Sequence, residues 1–200
     1  MKQHSRVIGI SSSGFNRDRD ERSVLVFTLV RCPNTLESIE YSSVAVDGDD
    51  STEKIIEVVK NYSNLNVAVT LTGGLAMAGL NLYNPSGVFQ STGVPAVSIS
   101  RKIPSIEAMG KAIESMSRKR GMDAFNKLQI LHDLEIKKVT VKDAAFYATS
   151  AGIVEKEIKY LLSSCLIVGL IPEPVRIARI IASGIFRGGD SFSVHHKIEF

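Results

Sequence analysis

Alternating runs of apolar and polar residues divide the first half of the chain into short strands and helices. Val7–Ile10 is a β-branched run that ends in small polar residues, and Ser23–Arg31 is almost continuous in Val, Leu and Phe. Ser38–Val46 follows a turn at Pro33 and alternates roughly in polarity. A continuous apolar run suits a strand covered on both faces, and a short turn joins antiparallel neighbours. The pattern therefore predicts three antiparallel strands at the start of one sheet.

The rest of the chain predicts helices placed between further strands. Apolar residues recur at helical spacing from Ile55 to Tyr62. Later strands are expected at Val67–Leu71 and Pro95–Ser100, and a short edge strand is expected at Val139–Val141. Later helices are expected at Pro85–Thr92, Ile106–Met116, Val154–Cys165 and Pro172–Ile185. This order indicates a mixed-sheet α/β fold rather than an all-parallel Rossmann fold. We expect one domain over residues 1–200, with a helical C-terminal part at 154–186.

Composition narrows the classes of protein to consider. With 44% hydrophobic and 22% charged residues, the chain can bury an ordinary core. Its net charge of +3 is too small to establish a nucleic-acid partner and leaves only a local basic patch open. Neither a membrane span, which needs roughly 20 apolar residues, nor a signal peptide is apparent. We expect a soluble, cytoplasmic protein with no membrane partner, and buried, reduced thiols at Cys32 and Cys165.

The densest group of acids is the segment 47–50, Asp-Gly-Asp-Asp, between a predicted strand and a predicted helix. Carboxylates in such a place can bind Mg²⁺ or Mn²⁺, although the spacing is not that of an EF-hand. The alternative is that Asp50 caps the helix, with Glu53 at capping-box-like spacing and favourable charge at the helix dipole. Asp47 is the acid that capping explains least.

Two further features concern anion binding. Gly73 and Gly74 follow a predicted strand, and the absence of a Cβ lets a backbone approach a phosphate, although a tight turn needed only for folding is the alternative. Arg176 and Arg179 lie one helical turn apart and share a face. Basic residues form three groups, which are Arg17, Arg19 and Arg22; Arg101, Lys102, Arg118, Lys119 and Arg120; and Arg176, Arg179 and Arg187. If these groups converge, they form a phosphate-binding surface.

Several segments together resemble one archaeal family of uncharacterised proteins related to endonuclease V, the domain of unknown function ninety-nine. They are Arg6–Ile10, Val46–Ile55, Ala78–Asn81, Gly93–Val97 and Ile171–Ala178, and the match spans nearly the whole chain. The resemblance implies an RNase H-like, endonuclease V-like fold. In that fold a mixed sheet, antiparallel in its first strands and parallel afterwards, is flanked by helices, in agreement with the order of elements above.

The resemblance also implies a nuclease centre in which acids at three positions hold Mg²⁺. In this chain the first position falls at Ser11, in a run where relatives carry paired aspartates, and the third falls at Gly73, which has no side chain. Only the second, at Asp47, keeps a carboxylate. The proline-and-tyrosine wedge of endonuclease V is absent from the sequence, and the segment 188–192 departs from the ending expected in relatives.

We therefore expect a catalytically degenerate, endonuclease V-like protein that binds nucleic acid or a phosphate-containing ligand. Asp47 is its residual anchor and candidate metal ligand, Gly73 and Gly74 approach the phosphate, and Arg176 and Arg179 supply charge. Mg²⁺ or Mn²⁺ is the only cofactor under consideration. One alternative is an active Mg²⁺- or Mn²⁺-dependent endonuclease acting on DNA or RNA with Asp47, Asp49, Asp50 and Asp190. Another is a protein-interaction scaffold built on the helices after Val154.

Overall fold

The computed structural model describes residues 4–191 and the side chains of residues 4–186. The strands are β1 (Arg6–Ser12), β2 (Arg22–Arg31), β3 (Thr35–Ala45), β4 (Val67–Thr72), β5 (Ala76–Met77), β6 (Asn81–Leu82), β7 (Ala96–Ser100), β8 (Lys137–Val141) and β9 (Ala144–Ala151). The helices are α1 (Ser51–Asn61), α2 (Pro85–Thr92), α3 (Ile106–Arg120), α4 (Phe125–His132), α5 (Glu155–Cys165) and α6 (Glu173–Ser191). Within residues 4–191 no helix combines the length and the apolar character needed to traverse a bilayer.

Seven strands form one mixed sheet in the order β3-β2-β1-β4-β7-β9-β8. β1, β2 and β3 pair antiparallel, whereas β1, β4 and β7 pair parallel. β9 and β8 continue the sheet with antiparallel pairing. The predicted mixed sheet is confirmed, with antiparallel first strands followed by parallel ones. β8 lies at the edge as predicted, but β9 and α4 have no counterpart in the prediction.

Both faces of the sheet are covered, and the alternation along β1 assigns each residue to a face. Val7 points into a cluster with Ile158 and Leu162 of α5, whereas Ile8 and Ile10 point into a cluster beneath α1 and α2. Burying an aliphatic side chain of this size contributes roughly 1.5–3 kcal/mol. Since Ser11 is two residues after Gly9 and four after Val7, it lies on the face covered by α5 and α6.

Helix α6 crosses the sheet at β1, where Gly9 makes the close approach possible. A Cβ at Gly9 would overlap the backbone of Pro174. The hydroxyl of Thr28 on β2 donates to the carbonyl oxygen of Pro174 at 2.8 Å and fixes the first turn of the helix. The first turn of α6 therefore lies beside the end of β4, where Val175 approaches Gly73, and the following turns pack on β2 through Ala178 and Ala182 against Val26. The first two turns form one wall of the site described below.

Two local predictions require correction. Cys32 and Cys165 are buried as expected, but they are joined by a disulfide with their Cα atoms 5.7 Å apart, so the prediction of reduced thiols was wrong. Their sequence separation of 133 hid the fact that the end of β2 meets α5. Asp50 stands at the N-cap of α1 but makes no capping hydrogen bond. Its carboxylate instead accepts hydrogen bonds from the Ala45 N–H and the Asn81 amide.

Candidate functional site

A cavity of about 390 Å³ lies at the carboxyl ends of the three parallel strands. Its floor consists of Ser11 and Ser12 from β1, Gly73 and Gly74 after β4, and Ser100 and Arg101 at the end of β7. The carboxyl ends of neighbouring parallel strands meet at one edge of a sheet, and this edge is the usual place for a ligand in open α/β sheets. The volume lies in the ordinary range for small-molecule sites, roughly 300–1,000 Å³.

The opposite wall comes from α6 and the loop before it. Pro172, Val175 and Arg179 line the cavity from this side, together with Leu170 and Ile171. The helix lies so close to the end of β4 that a Cβ at Gly73 would stand 3.3 Å from Val175 Cγ1. Glycine at this position therefore serves the packing of α6 and also leaves the backbone open to the cavity.

The charge of the cavity comes from two arginines. The Arg101 guanidinium lies 4.8 Å from the centre of the Phe146 ring and donates to the carbonyl oxygen of Ala145, which holds it in place. Arg179 is exposed at the mouth, and among the residues with described side chains it has no hydrogen-bond or ion-pair partner. No carboxylate of residues 4–186 lines the cavity. Two guanidinium groups thus face a space without a counterion from the lining residues.

Hydroxyl groups complete the floor. The Ser12 hydroxyl oxygen accepts a hydrogen bond from the Ala78 N–H at 3.2 Å, which ties the end of β1 to the segment after β5. The Ser11 side chain makes no hydrogen bond to any other described residue, so its O–H is available to a ligand. A hydroxyl both donates and accepts, and it suits a phosphate oxygen better than it suits a divalent cation.

A smaller, mostly apolar pocket of about 280 Å³ adjoins the cavity and shares Gly74, Ala76, Ile99 and Ser100 with it. Four side chains with hydroxyl groups line this pocket, namely Ser98, Ser100, Tyr147 and Thr149. The Thr149 hydroxyl is buried and has no hydrogen-bond partner among the described residues. This hydroxyl is enclosed by the surrounding protein, so it is not a contact available to a ligand in the pocket.

The acidic segment 47–50 lies elsewhere, and Asp47 is engaged by the protein itself. Both carboxylate oxygens of Asp47 accept hydrogen bonds from Arg17, at 2.9 and 3.1 Å. One of them also accepts from the Leu80 N–H at 2.8 Å. A Cβ at Gly79, where φ is +91°, would overlap this oxygen, so the local backbone is built around the carboxylate. Asp47 does not line the cavity.

The other two acids of the segment are also paired with basic side chains. Lys127 of α4 is completely buried, and its ammonium group lies 2.6 Å from the Asp49 carboxylate. The same ammonium donates to the carbonyl oxygens of Leu80, at 3.0 Å, and of Gly48. Asp50 pairs with Arg22 at 3.3 Å. Each carboxylate of the segment therefore has a cation supplied by the protein.

The residues described do not fit a Mg²⁺ or Mn²⁺ centre. Such a centre needs several anionic oxygen ligands around one point. Within residues 4–186 no three Asp, Glu, His or Cys side chains are grouped so that they could hold a metal ion. The cavity instead presents guanidinium groups, which repel a cation. Asp190, His195, His196 and the side chain of Arg187 lie outside the part of the chain described in this detail.

Of the predicted site residues, four meet at the cavity: Ser11, Gly73, Gly74 and Arg179. Asp47 and Arg176 do not line it, and their predicted roles remain predictions. Arg176 lines a shallow concavity next to the cavity, on the face of α6 that it shares with Arg179 as the helical spacing predicted. Arg101 was expected only as one member of a basic group and not as a residue of this cavity, although its place directly after a predicted strand was the available signal.

Comparison with known proteins agrees with this fold. The model of a family described as endonuclease dU matches residues 3–186. A UPF0215 protein of Methanothermobacter thermautotrophicus is 30% identical over 194 residues, covering 94% of this chain and 91% of the relative. A UPF0215 protein of Thermococcus sibiricus is 27% identical over 191 residues, covering 94% and 95%. These matches confirm the predicted membership of an archaeal, endonuclease V-related group.

Solved structures with a similar course of the backbone also agree with this fold. A protein of unknown function from Archaeoglobus fulgidus superposes with a TM-score of 0.80 and 26% identity, covering 92% of this chain and 99% of that one. Endonuclease V of Ciona intestinalis, in complex with a 24mer DNA containing an inosine followed by a ribo-adenosine, gives a TM-score of 0.56 at 14% identity, covering 87% and 82%. The second likeness establishes the RNase H-like, endonuclease V-like fold alone.

Proposed function

The chain belongs to the endonuclease dU family, and on that premise we propose that it binds a phosphate-bearing ligand of the nucleic-acid type without cutting it. The observation that carries this proposal is the pair Arg101 and Arg179 at the ends of β1, β4 and β7, facing a cavity without a carboxylate among residues 4–186. A guanidinium group has five N–H donors in a planar fork that matches phosphate oxygens. An unpaired cation in a cavity favours an anionic ligand.

The residues on the floor of the cavity also suit a phosphate-bearing ligand. The Ser11 hydroxyl has no partner among the described residues and can donate to a phosphate oxygen. Gly73 and Gly74 bring backbone close to the same space. These features suit phosphate rather than a carboxylate alone, because they surround the anion with donors from three strand ends.

The adjoining pocket indicates that the ligand also has an uncharged part. Its walls are mostly apolar, and Ser98, Ser100, Lys102 and Tyr147 supply polar groups that a flat ring with polar edges would meet. A nucleotide combines such a ring with a phosphate. We therefore favour a nucleotide unit, free or within a strand, over inorganic phosphate.

Cleavage is the second candidate, because the family description and the inosine-containing complex of the Ciona enzyme both concern endonucleases. Hydrolysis of a phosphodiester in such enzymes relies on cations that stabilise the charge developing on phosphate and leaving group. By the resemblance, the acidic positions that would hold them fall at Ser11 and Gly73, which carry no carboxylate, and at Asp47, which is paired with Arg17. Two guanidinium groups stabilise a bound phosphate but do not activate water.

A salt titration in EDTA tests binding. The affinity for a labelled single-stranded oligonucleotide is expected to fall between about 50 and about 200 mM salt, with a slope of roughly −0.7 per phosphate contact. Arg179→Ala is expected to make that slope shallower by about 0.7 and to weaken binding about tenfold. Arg118→Ala removes another exposed arginine, one that lines neither the cavity nor the adjoining pocket, and it should behave as the wild type. Absence of binding at low salt, or binding indifferent to salt, contradicts the proposal.

A cleavage assay separates the two candidates. Oligonucleotides containing dU or inosine are incubated with Mg²⁺ or Mn²⁺ and resolved on denaturing gels. The proposal predicts full-length strands at every time point. Cleavage that requires the metal and disappears in Asp47→Ala would establish the nuclease instead.

A further inference from the structure

A second concavity, also of about 390 Å³, lies directly beside the cavity on the exposed face of α6. It is lined by Ile171, Arg176, Arg179, Ile180, Ser183 and Gly184. Ile171 and Arg179 belong to the walls of both spaces. The cavity therefore opens into a continuous surface track along the helix, with Arg179 at the junction.

The track has donors for a second phosphate. Arg176 is held by two hydrogen bonds to Glu173, at 2.7 and 2.5 Å, and its side chain remains 32% exposed. These bonds use two of its five N–H donors, so the remaining donors are available outward. The Glu173 side chain is only 8% exposed beneath it. A ligand crossing α6 therefore meets the guanidinium before the carboxylate.

Exposed apolar side chains border the arginines along this track. Ile180 is 57% exposed and Leu170 is 41% exposed, the latter on the rim of the cavity. A phosphate gains nothing from an aliphatic contact, whereas a base or a sugar presents an apolar face that packs on it. In a duplex the base faces are stacked on one another and cannot reach such side chains. This combination of cation and exposed aliphatic residue suits an unpaired strand.

The backbone of the track is also open. A Cβ placed at Gly184 would meet nothing within 4 Å, and its neighbour Ser183 is small. A strand can therefore lie close to the third turn of α6 without a steric obstacle.

We infer that this face of α6 carries a single-stranded nucleic acid onward from the cavity. One nucleotide occupies the cavity at Arg101 and Arg179, and its neighbour crosses α6 over Arg176 and Ile180. The inference rests on the proposed function, and it adds the substrate class, an unpaired strand, and the direction in which the strand leaves the site.

This assignment is tested by fluorescence anisotropy with three probes of the same sequence, namely single-stranded DNA, single-stranded RNA and a blunt duplex. Competition by a nucleoside monophosphate measures binding to the cavity alone. The single strands are expected to bind at least tenfold more tightly than the duplex. Ile180→Glu is expected to weaken single-strand binding about tenfold and to leave nucleoside monophosphate binding unchanged. Ile180→Ser, which removes the apolar contact without adding charge, should weaken it about threefold.

Val154→Glu is the matched control, because Val154 is 63% exposed, receives the same charge and lines neither space. It should bind every probe as the wild type does. The inference is overturned if duplex and single strand bind with equal affinity, or if Ile180→Glu leaves single-strand binding unchanged. In either case the proposed function still stands if the wild type binds the nucleoside monophosphate. If neither nucleotide nor oligonucleotide binds the wild type, the proposed function falls and the inference falls with it.

Discussion

The acidic segment 47–50 and the cavity at the ends of the parallel strands differ in whether their charged side chains have partners of opposite charge within the protein. In the segment every carboxylate has a basic partner from another part of the chain: Arg17 for Asp47, Lys127 for Asp49 and Arg22 for Asp50. In the cavity, Arg101 and Arg179 face open space without an acid among the described lining residues. The carboxylates of the segment are engaged by basic side chains of the protein, whereas the two cavity arginines have no acidic partner among the described residues and are available to a ligand.

Replacing Lys127 should have the largest effect on the acidic segment. Lys127→Met keeps most of the apolar volume but leaves Asp49 and the carbonyl oxygens of Gly48 and Leu80 without their donor. We expect the free energy of unfolding to fall by about 3 kcal/mol, measured by urea denaturation. Lys119→Met, at an exposed position in the last turn of α3, should change it by less than about 0.5 kcal/mol. Equal stability of the two variants would mean that the buried ammonium is not structural.

Asp47 allows a direct separation of folding from binding. Asp47→Asn removes the charge that Arg17 contacts through two hydrogen bonds. A loss of about 2 kcal/mol in unfolding free energy is expected, because hydrogen bonds to charged groups contribute about that much. Nucleotide affinity in EDTA should be unchanged, since Asp47 does not line the cavity. A variant of full stability that loses a metal-dependent affinity would place Asp47 in a functional centre instead.

Placing an acid in the cavity should weaken the binding of anionic ligands. Ser11→Asp places a carboxylate where a phosphate is proposed to bind, and the repulsion should weaken nucleotide binding about tenfold, or about 1.4 kcal/mol. Ser11→Asn adds similar volume without charge and separates the steric from the electrostatic effect. Isothermal titration calorimetry of both variants measures the difference. Tighter binding to Ser11→Asp than to Ser11→Asn in EDTA would contradict an anion site.

The smallest expected effect concerns Glu173, a carboxylate of α6 that lies next to the track. The Arg176 guanidinium donates hydrogen bonds to Glu173 and lowers the pKa of that carboxyl, which is partly offset by burial. The stabilisation from the pair is therefore complete above the unfolded-state pKa of about 4.3 and is lost as the pH falls through the lower folded-state pKa. Glu173→Gln should be about 1 kcal/mol less stable at pH 7. Urea denaturation at a series of pH values should show this gap closing below about pH 4, and a constant gap would exclude the ion pair as its cause.

The strands were predictable where the side chains themselves carry the signal. β1, β2 and β4 are rich in Val, Ile and Leu and are bounded by polar or charged residues or by glycine, so their positions follow from sequence. β9 was not predicted because Ala144–Ala151 consists mainly of Ala, Ser and Thr, and alanine has little preference for strands. It is a strand because β7 and β8 pair with it on both sides.

The site was only partly predictable for a similar reason. The positions of Ser11 and Gly73 follow from the ends of predicted strands, and Arg179 follows from helical spacing. The pairing of the acids depends on tertiary contacts that no local pattern encodes. Lys127 illustrates this, because a lysine on a short helix is normally exposed, whereas here it is fully buried beneath the segment 47–50.

A crystal soaked with Mn²⁺ and a nucleoside monophosphate distinguishes an anion site from a metal centre, with manganese located by anomalous scattering and phosphate by difference density. We expect a phosphate between Arg101 and Arg179 and no manganese peak at Asp47, which stays bound to Arg17. A manganese ion held by the Asp47 carboxylate, with Arg17 displaced and the phosphate among its ligands, would contradict this expectation.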